Sequence, residues 1–168
     1  MSAGTWTRLL LSVAGASLIA VVVIPYVRTI RAGEGHHAPS CLSQVKQLAL
    51  GGLMYMGDWN DRLPPALGWM DSIKPYHKNQ DLEVCPEVAK SKGAYGYAFN
   101  SALDLKPVSD FPKLESTPLI YDSVSNWRNA TDPFASLPKP GRHGKDKRYN
   151  FVSYLEGNAK AMFTIPAP

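Results

Sequence analysis

Only two cysteines, Cys41 and Cys85, occur in the 168 residues. Two thiols alone cannot build a structural zinc site, and no Cys-x-x-Cys spacing offers redox chemistry. Gly-x-Ser-x-Gly is absent, as is His-Glu-x-x-His, which excludes the common serine-hydrolase elbow and the zincin site. No internal repeat or low-complexity tract is present, which excludes solenoids and polymer-like linkers. Charged residues make up 19% of the chain, and the formal net charge is +4. That balance is mild and argues against nucleic acid as a partner. Long apolar runs are equally scarce, and the chain holds one.

That run is Leu9 to Val27, LLLSVAGASLIAVVVIPYV, with Arg8 and Arg28 at its ends. As a helix rising ~1.5 Å per residue it spans about 28 Å, close to the ~30 Å hydrocarbon core of a bilayer. A cleaved signal peptide wants a shorter apolar stretch and a small-x-small site. Arg28-Thr29-Ile30-Arg31-Ala32-Gly33 is a poor site, so the run reads as an uncleaved anchor. The organisation expected is a short tail at 1–8, a transmembrane helix at 9–27, a neck at 28–39 and one domain at 40–168. About 130 residues beyond the anchor suffice for one core and not for two ordinary ones. Arginines on both sides of the run leave its orientation undecided. In a reducing compartment Cys41 and Cys85 are ordinary buried thiols. Outside a membrane they can pair, closing a loop that stabilises the domain by roughly 4 kcal/mol. Such a disulfide places the domain outside and the amino terminus in the cytoplasm.

Thirteen glycines and 14 prolines imply many turns and short elements. Gly33, Gly35 and Pro39 mark the neck, and His36-His37 within it read as solvated linker rather than metal ligands. Ser40 is a good N-cap for a helix ending near Gly57. Leu42, Val45, Leu48, Ala49, Leu53 and Met56 form its apolar stripe, and Ser43, Gln44, Lys46 and Gln47 its polar face. Trp69 to Tyr76 reads as a short helix or turn. Glu83 to Cys85, Tyr95 to Phe99 and Pro118 to Tyr121 read as short strands. The best hairpin runs from Tyr149–Leu155 to Ala159–Ile165 through Glu156-Gly157-Asn158. The fold expected is therefore α+β, an amphipathic helix packed on a small antiparallel sheet.

Few residues invite chemistry. His143, with Arg142, Asp146 and Glu156 near it, has the makings of an acid–base site. The simpler reading has His143 and Glu156 bracing a loop against the hairpin turn. Arg142, Lys145, Lys147 and Arg148 can contact a polyanion, but no aromatic row is interleaved with them for stacking. Asp58, Asn60 and Asp61 lack the glycine and distant acidic ligand of a calcium loop. Trp59, Trp69 and Trp127 read as core and turn anchors rather than a sugar platform. No metal and no cofactor is expected.

Several segments resemble a bacterial family. Cys41 to Leu50, CLSQVKQLAL, is similar to the "C-x-S-N-L-K-Q-L-x-L" segment of type II secretion pseudopilin-like proteins with a C-terminal "His, nine residues, Asp-Gly" motif. The likeness continues at Met54-Tyr55, Asp61 to Pro65, Val84-Cys85-Pro86, Tyr95 to Asn100 and Pro118 to Ser123. It ends at Pro140 to Gly144 and Glu156 to Lys160. The resemblance implies a pilin-like fold and a structural role in a pseudopilus or pilus-like fibre, not catalysis. It implies a single-pass inner-membrane protein with a periplasmic domain, partnered by the bilayer and by other pilin-like subunits, its own copies included. It also implies pairing of Cys41 with Cys85, and it makes His143, Glu156 and Gly157 motif positions. The chain departs from the pattern in three places. Gly4 is followed by Thr5-Trp6-Thr7-Arg8 without the acidic residue of a prepilin. Gly33, Gly35 and Pro39 interrupt the long helix. His143 and Glu156 stand further apart than nine residues, and Glu replaces Asp. The chain resembles a divergent member.

Overall fold

The computed structural model describes residues 37–89 and 91–164; the anchor expected at Leu9–Val27 and the stretch 28–36 of the neck lie outside them. No helix among the described residues is long and apolar enough to cross a membrane. The first element is the 22-residue helix α1, His37–Asp58. It begins ahead of the cap expected at Ser40. Pro39 falls in the first turn, where its missing N–H leaves no intrahelical bond unmade. The helix stops because Asn60 and Asp61 both take left-handed backbone angles, which short polar side chains tolerate. Cys41, Val45, Leu48 and Ala49 form its fully buried stripe. Gln44, expected on the polar face, is instead buried. It accepts a hydrogen bond from the Tyr97 hydroxyl at 2.9 Å and donates to the Asp81 carbonyl at 3.1 Å, so its burial leaves neither end of the amide unpaired.

A short helix α2, Trp69–Ile73, follows and packs Trp69, Met70 and Ile73 into the core. The strands are β1 (Tyr97–Asn100), β2 (Pro118–Asp122), β3 (Thr131–Asp132), β4 (Tyr149–Tyr154) and β5 (Ala159–Phe163). They lie in the order β3-β1-β2-β4-β5. Three of the four pairings are antiparallel, but β1 and β3 run parallel, so the sheet is mixed and not wholly antiparallel as expected. The loop after β2 returns to the far edge and is held there by α2. The Trp69 indole N–H donates to the Ala130 carbonyl at 3.0 Å, and the Met70 N–H donates to the Asn129 side chain at 2.8 Å.

Residues alternate between two cores, as strand geometry requires. Tyr97, Phe99 and Phe151 point to the main core under α1. Ala98, Tyr121 and Val152 point to a smaller cluster with Ala130 on the other face. The strand expected at Glu83–Cys85 does not form. Gln80–Glu83 is a single 3-10 turn capped by the Asn79 side chain, and Pro86 follows too closely for a ladder. Cys85 is nonetheless fixed, its N–H donating to the Tyr95 carbonyl at 2.8 Å.

The loop before β4 sets the site. His143 exchanges backbone hydrogen bonds with Tyr149, so residues 144–148 form an exposed excursion with a pinned base. Gly141 lies so close to β4 that a Cβ there would sit 2.5 Å from the Tyr149 nitrogen. Gly141→Ala should therefore destabilise the domain by about 1–3 kcal/mol in chemical denaturation. Lys145→Ala, in the exposed part of the same loop, should leave the unfolding midpoint unchanged.

Candidate functional site

Asp122 ends β2 with no exposed surface. Its Oδ2 accepts the Phe151 N–H at 2.5 Å and lies 2.9 Å from Nε2 of His143. Its Oδ1 lies 3.2 Å from Nη1 of Arg142. Arg142 turns inward and also donates to the carbonyls of Gly96 and Ser123. The loop carrying Arg142 and His143 is registered by Asn150, which accepts the Arg142 N–H at 2.8 Å and donates to the Pro138 carbonyl at 3.0 Å. The imidazole of His143 rests on the Phe151 ring, with centroids 4.6 Å apart.

The two cysteines arrive from the other side. Cys41 comes from the first turns of α1 and Cys85 from the segment before β1. Both are 0% exposed, both are free thiols, and their sulfurs are 3.5 Å apart. Both sulfurs and one ring nitrogen of His143 lie within 4.8 Å of one another. Gly96 makes room for this. It has a positive φ, and a Cβ on it would meet Val88, Arg142 and the Cys85 Cβ at 2.7, 3.0 and 3.1 Å. His143 is 1% exposed, and neither ring nitrogen has a hydrogen bond of good direction. Its contact with Asp122 is an ion pair set off the N–H axis.

The electrostatics follow from this packing. Burial pushes the His143 imidazolium down, but the Asp122 carboxylate and the Cys85 sulfur outweigh it and raise the pKa to about 9. The Cys41 S–H beside it, helped by His143, holds the Cys85 thiol below its ordinary value. Cys41 is pushed up by its contact with Cys85 and by burial. Of the two, Cys85 is therefore the thiol that more readily loses its proton, and it lies beside the His143 ring.

His143 and Glu156, expected to brace one another, do not meet. Glu156 is exposed in the β4–β5 turn, where it accepts from the Asn158 amide and lies 3.9 Å from Lys160. Gly157 forms that turn with a positive φ of 89°. Arg142 leaves the basic cluster for the interior, while Lys145, Lys147 and Arg148 stay exposed and Arg148 pairs with Asp146 at 2.8 Å. The four cations thus form no single patch. Local sequence does not mark Asp122, Gly96 and Asn150 as site residues, beyond a carboxylate closing an apolar strand at Asp122. A second buried pair, His77 and Glu83 at 3.5 Å, is bridged to Asp71 by Arg128 and ties the 3-10 turn to α2.

Compared with protein-family models, curated proteins and solved structures, the chain matches none. The pseudopilin-like resemblance rests on the quoted residues alone.

Two outcomes test the cluster in the reduced protein. Asp122→Ala strips a buried guanidinium of its partner and should lower the unfolding free energy by about 3–5 kcal/mol, whereas Arg148→Ala should have no measurable effect. The raised pKa of His143 gives stability that is complete below pH 6.5 and lost as pH rises through about 9. The depressed pKa of Cys85 acts in the opposite sense, adding stability as pH rises toward its ordinary 9.0. Urea titrations should thus find stability nearly level from pH 6.5 to 9 in the parent, whereas in Cys85→Ser, where Asp122 alone still raises His143, stability should fall as pH rises above 6.5 and level off before 9.

Proposed function

We propose that this chain is a membrane-anchored, pseudopilin-like subunit or accessory of a type II secretion or type IV pilus-like system, structural rather than catalytic. Its anchor is Leu9–Val27 in a bacterial inner membrane, with the amino terminus cytoplasmic and the domain periplasmic. The observation that carries the proposal is α1, a long helix laid along one face of a small sheet and placed in sequence just after the uncharged run. The buried cluster ties the start of that helix to the sheet, as a subunit bearing load through its helix requires.

Two further features support it. His143 is sealed from solvent, and the surface depression beside it, about 400 Å³, is lined by Arg142, Gly141 and Pro138 and not by His143. A substrate has no route to the imidazole. On the outer side of α1, Leu50 and Met54 remain 43% and 56% exposed. They border a groove of about 340 Å³ that includes Tyr76 and Leu82. An apolar helix face of this kind suits lateral packing against a second copy.

The test uses the full chain carrying Met54→Cys in bacterial membranes. Expected are retention in the membrane after alkaline carbonate and a covalent dimer on treatment with a bis-maleimide, since Cys41 and Cys85 are buried and each chain offers one reactive thiol. Monomers alone would replace the fibre subunit with a tethered binding module that does not polymerise. Release by carbonate would remove the anchor from the reading.

A further inference from the structure

Cys41, Cys85 and His143 come from three separate segments, and nothing in their spacing foretells that they meet. We infer that they form a three-coordinate site for monovalent copper, with Asp122 orienting the histidine from behind. Three observations lead there.

The first is the donor set. Two sulfurs and one imidazole nitrogen, all within 4.8 Å of one another and all buried, are soft ligands that select Cu(I) or Zn(II) over harder cations. The second is the separation of the sulfurs. An ion held about 2.3 Å from each of two thiolates keeps them roughly 4 Å apart, whereas a disulfide holds them at about 2.05 Å. The observed 3.5 Å is far closer to the former. A shift of a few tenths of an ångström would admit the ion. The third is the imidazole itself. His143 is 1% exposed and both its ring nitrogens lack a well-directed hydrogen bond, an expensive arrangement for a polar group with nothing to bind. Nε2 lies 2.9 Å from the Asp122 carboxylate but off the N–H axis, so a turn of the ring onto an ion would complete the carboxylate–histidine pairing that orients metal ligands.

The count of donors distinguishes the metals. Asp122 is taken by Arg142, His143 and the Phe151 N–H, so it stands behind the site rather than in it. Among the described residues three protein donors remain, in a place closed to solvent. Structural zinc is almost always four-coordinate, and catalytic zinc fills its fourth position with water. A sealed three-donor site suits Cu(I).

The experiment uses the full-length chain in detergent, reduced and kept anaerobic, titrated with Cu(I) against bicinchoninate. One Cu(I) per chain is expected. X-ray absorption on the unaltered protein should find two sulfurs and one nitrogen around it. Asp122→Asn should weaken binding about 10–100-fold, and the Cys41→Ser/Cys85→Ser double variant should lose the ion. A sulfur-only shell overturns the assignment, even if no variant folds. So does copper that persists in the double variant, where His36-His37 would be its holder. Zinc taken up four-coordinate while Cu(I) stays with the chelator overturns it too.

Discussion

A carboxylate with no exposed surface is costly to keep charged, and it persists only when donors surround it. Asp122 is that group in this domain. Three groups from two parts of the chain are its partners: the guanidinium of Arg142 and the imidazole of His143 from one loop, and the main-chain N–H of Phe151 from β4. Meeting those demands draws the 138–143 loop across the end of β2 and registers β4 beside it. The same loop carries the histidine to the cysteines. Helix, sheet and loop are thus referred to one point of negative charge.

The chemistry nearby depends on that arrangement. Alone, two buried thiols would be inert, their pKa values raised by burial. Here the contact with Cys41, and after it the His143 imidazole, outweighs burial and lowers the pKa of Cys85. Gly96 is as necessary as any charged residue, since any side chain there would push Cys85 and Arg142 apart. The polar groups at the bottom of the domain therefore act together, and removing one leaves others unpaired.

Much of the scaffold was legible from local pattern. The three- and four-residue spacing of Val45, Leu48 and Ala49 located α1, and the Gly157 turn located the β4–β5 hairpin. What local pattern missed was decided by distant partners. Gln44 looks like a solvent-facing residue until Tyr97, from β1, takes up its amide. A strand of two residues, β3, carries too little sequence to be seen, and its position depends on Trp69 and Asn129 contacts far away in the chain. His143 attracted attention as a lone histidine beside carboxylates, but its partner is across the sheet at Asp122 rather than along the hairpin at Glu156. Spacing can suggest which residue types matter; which ones meet is settled by packing.

The pinned excursion at 144–148 bears on how such a chain can vary. Because His143 and Tyr149 close its base, added or deleted residues between them would lengthen or shorten a surface bulge without moving the imidazole. The wide interval between His143 and Glu156 is then no obstacle to the fold. By the same reasoning, a short epitope grafted between Gly144 and Arg148 would project into solvent and offer a handle on the folded domain.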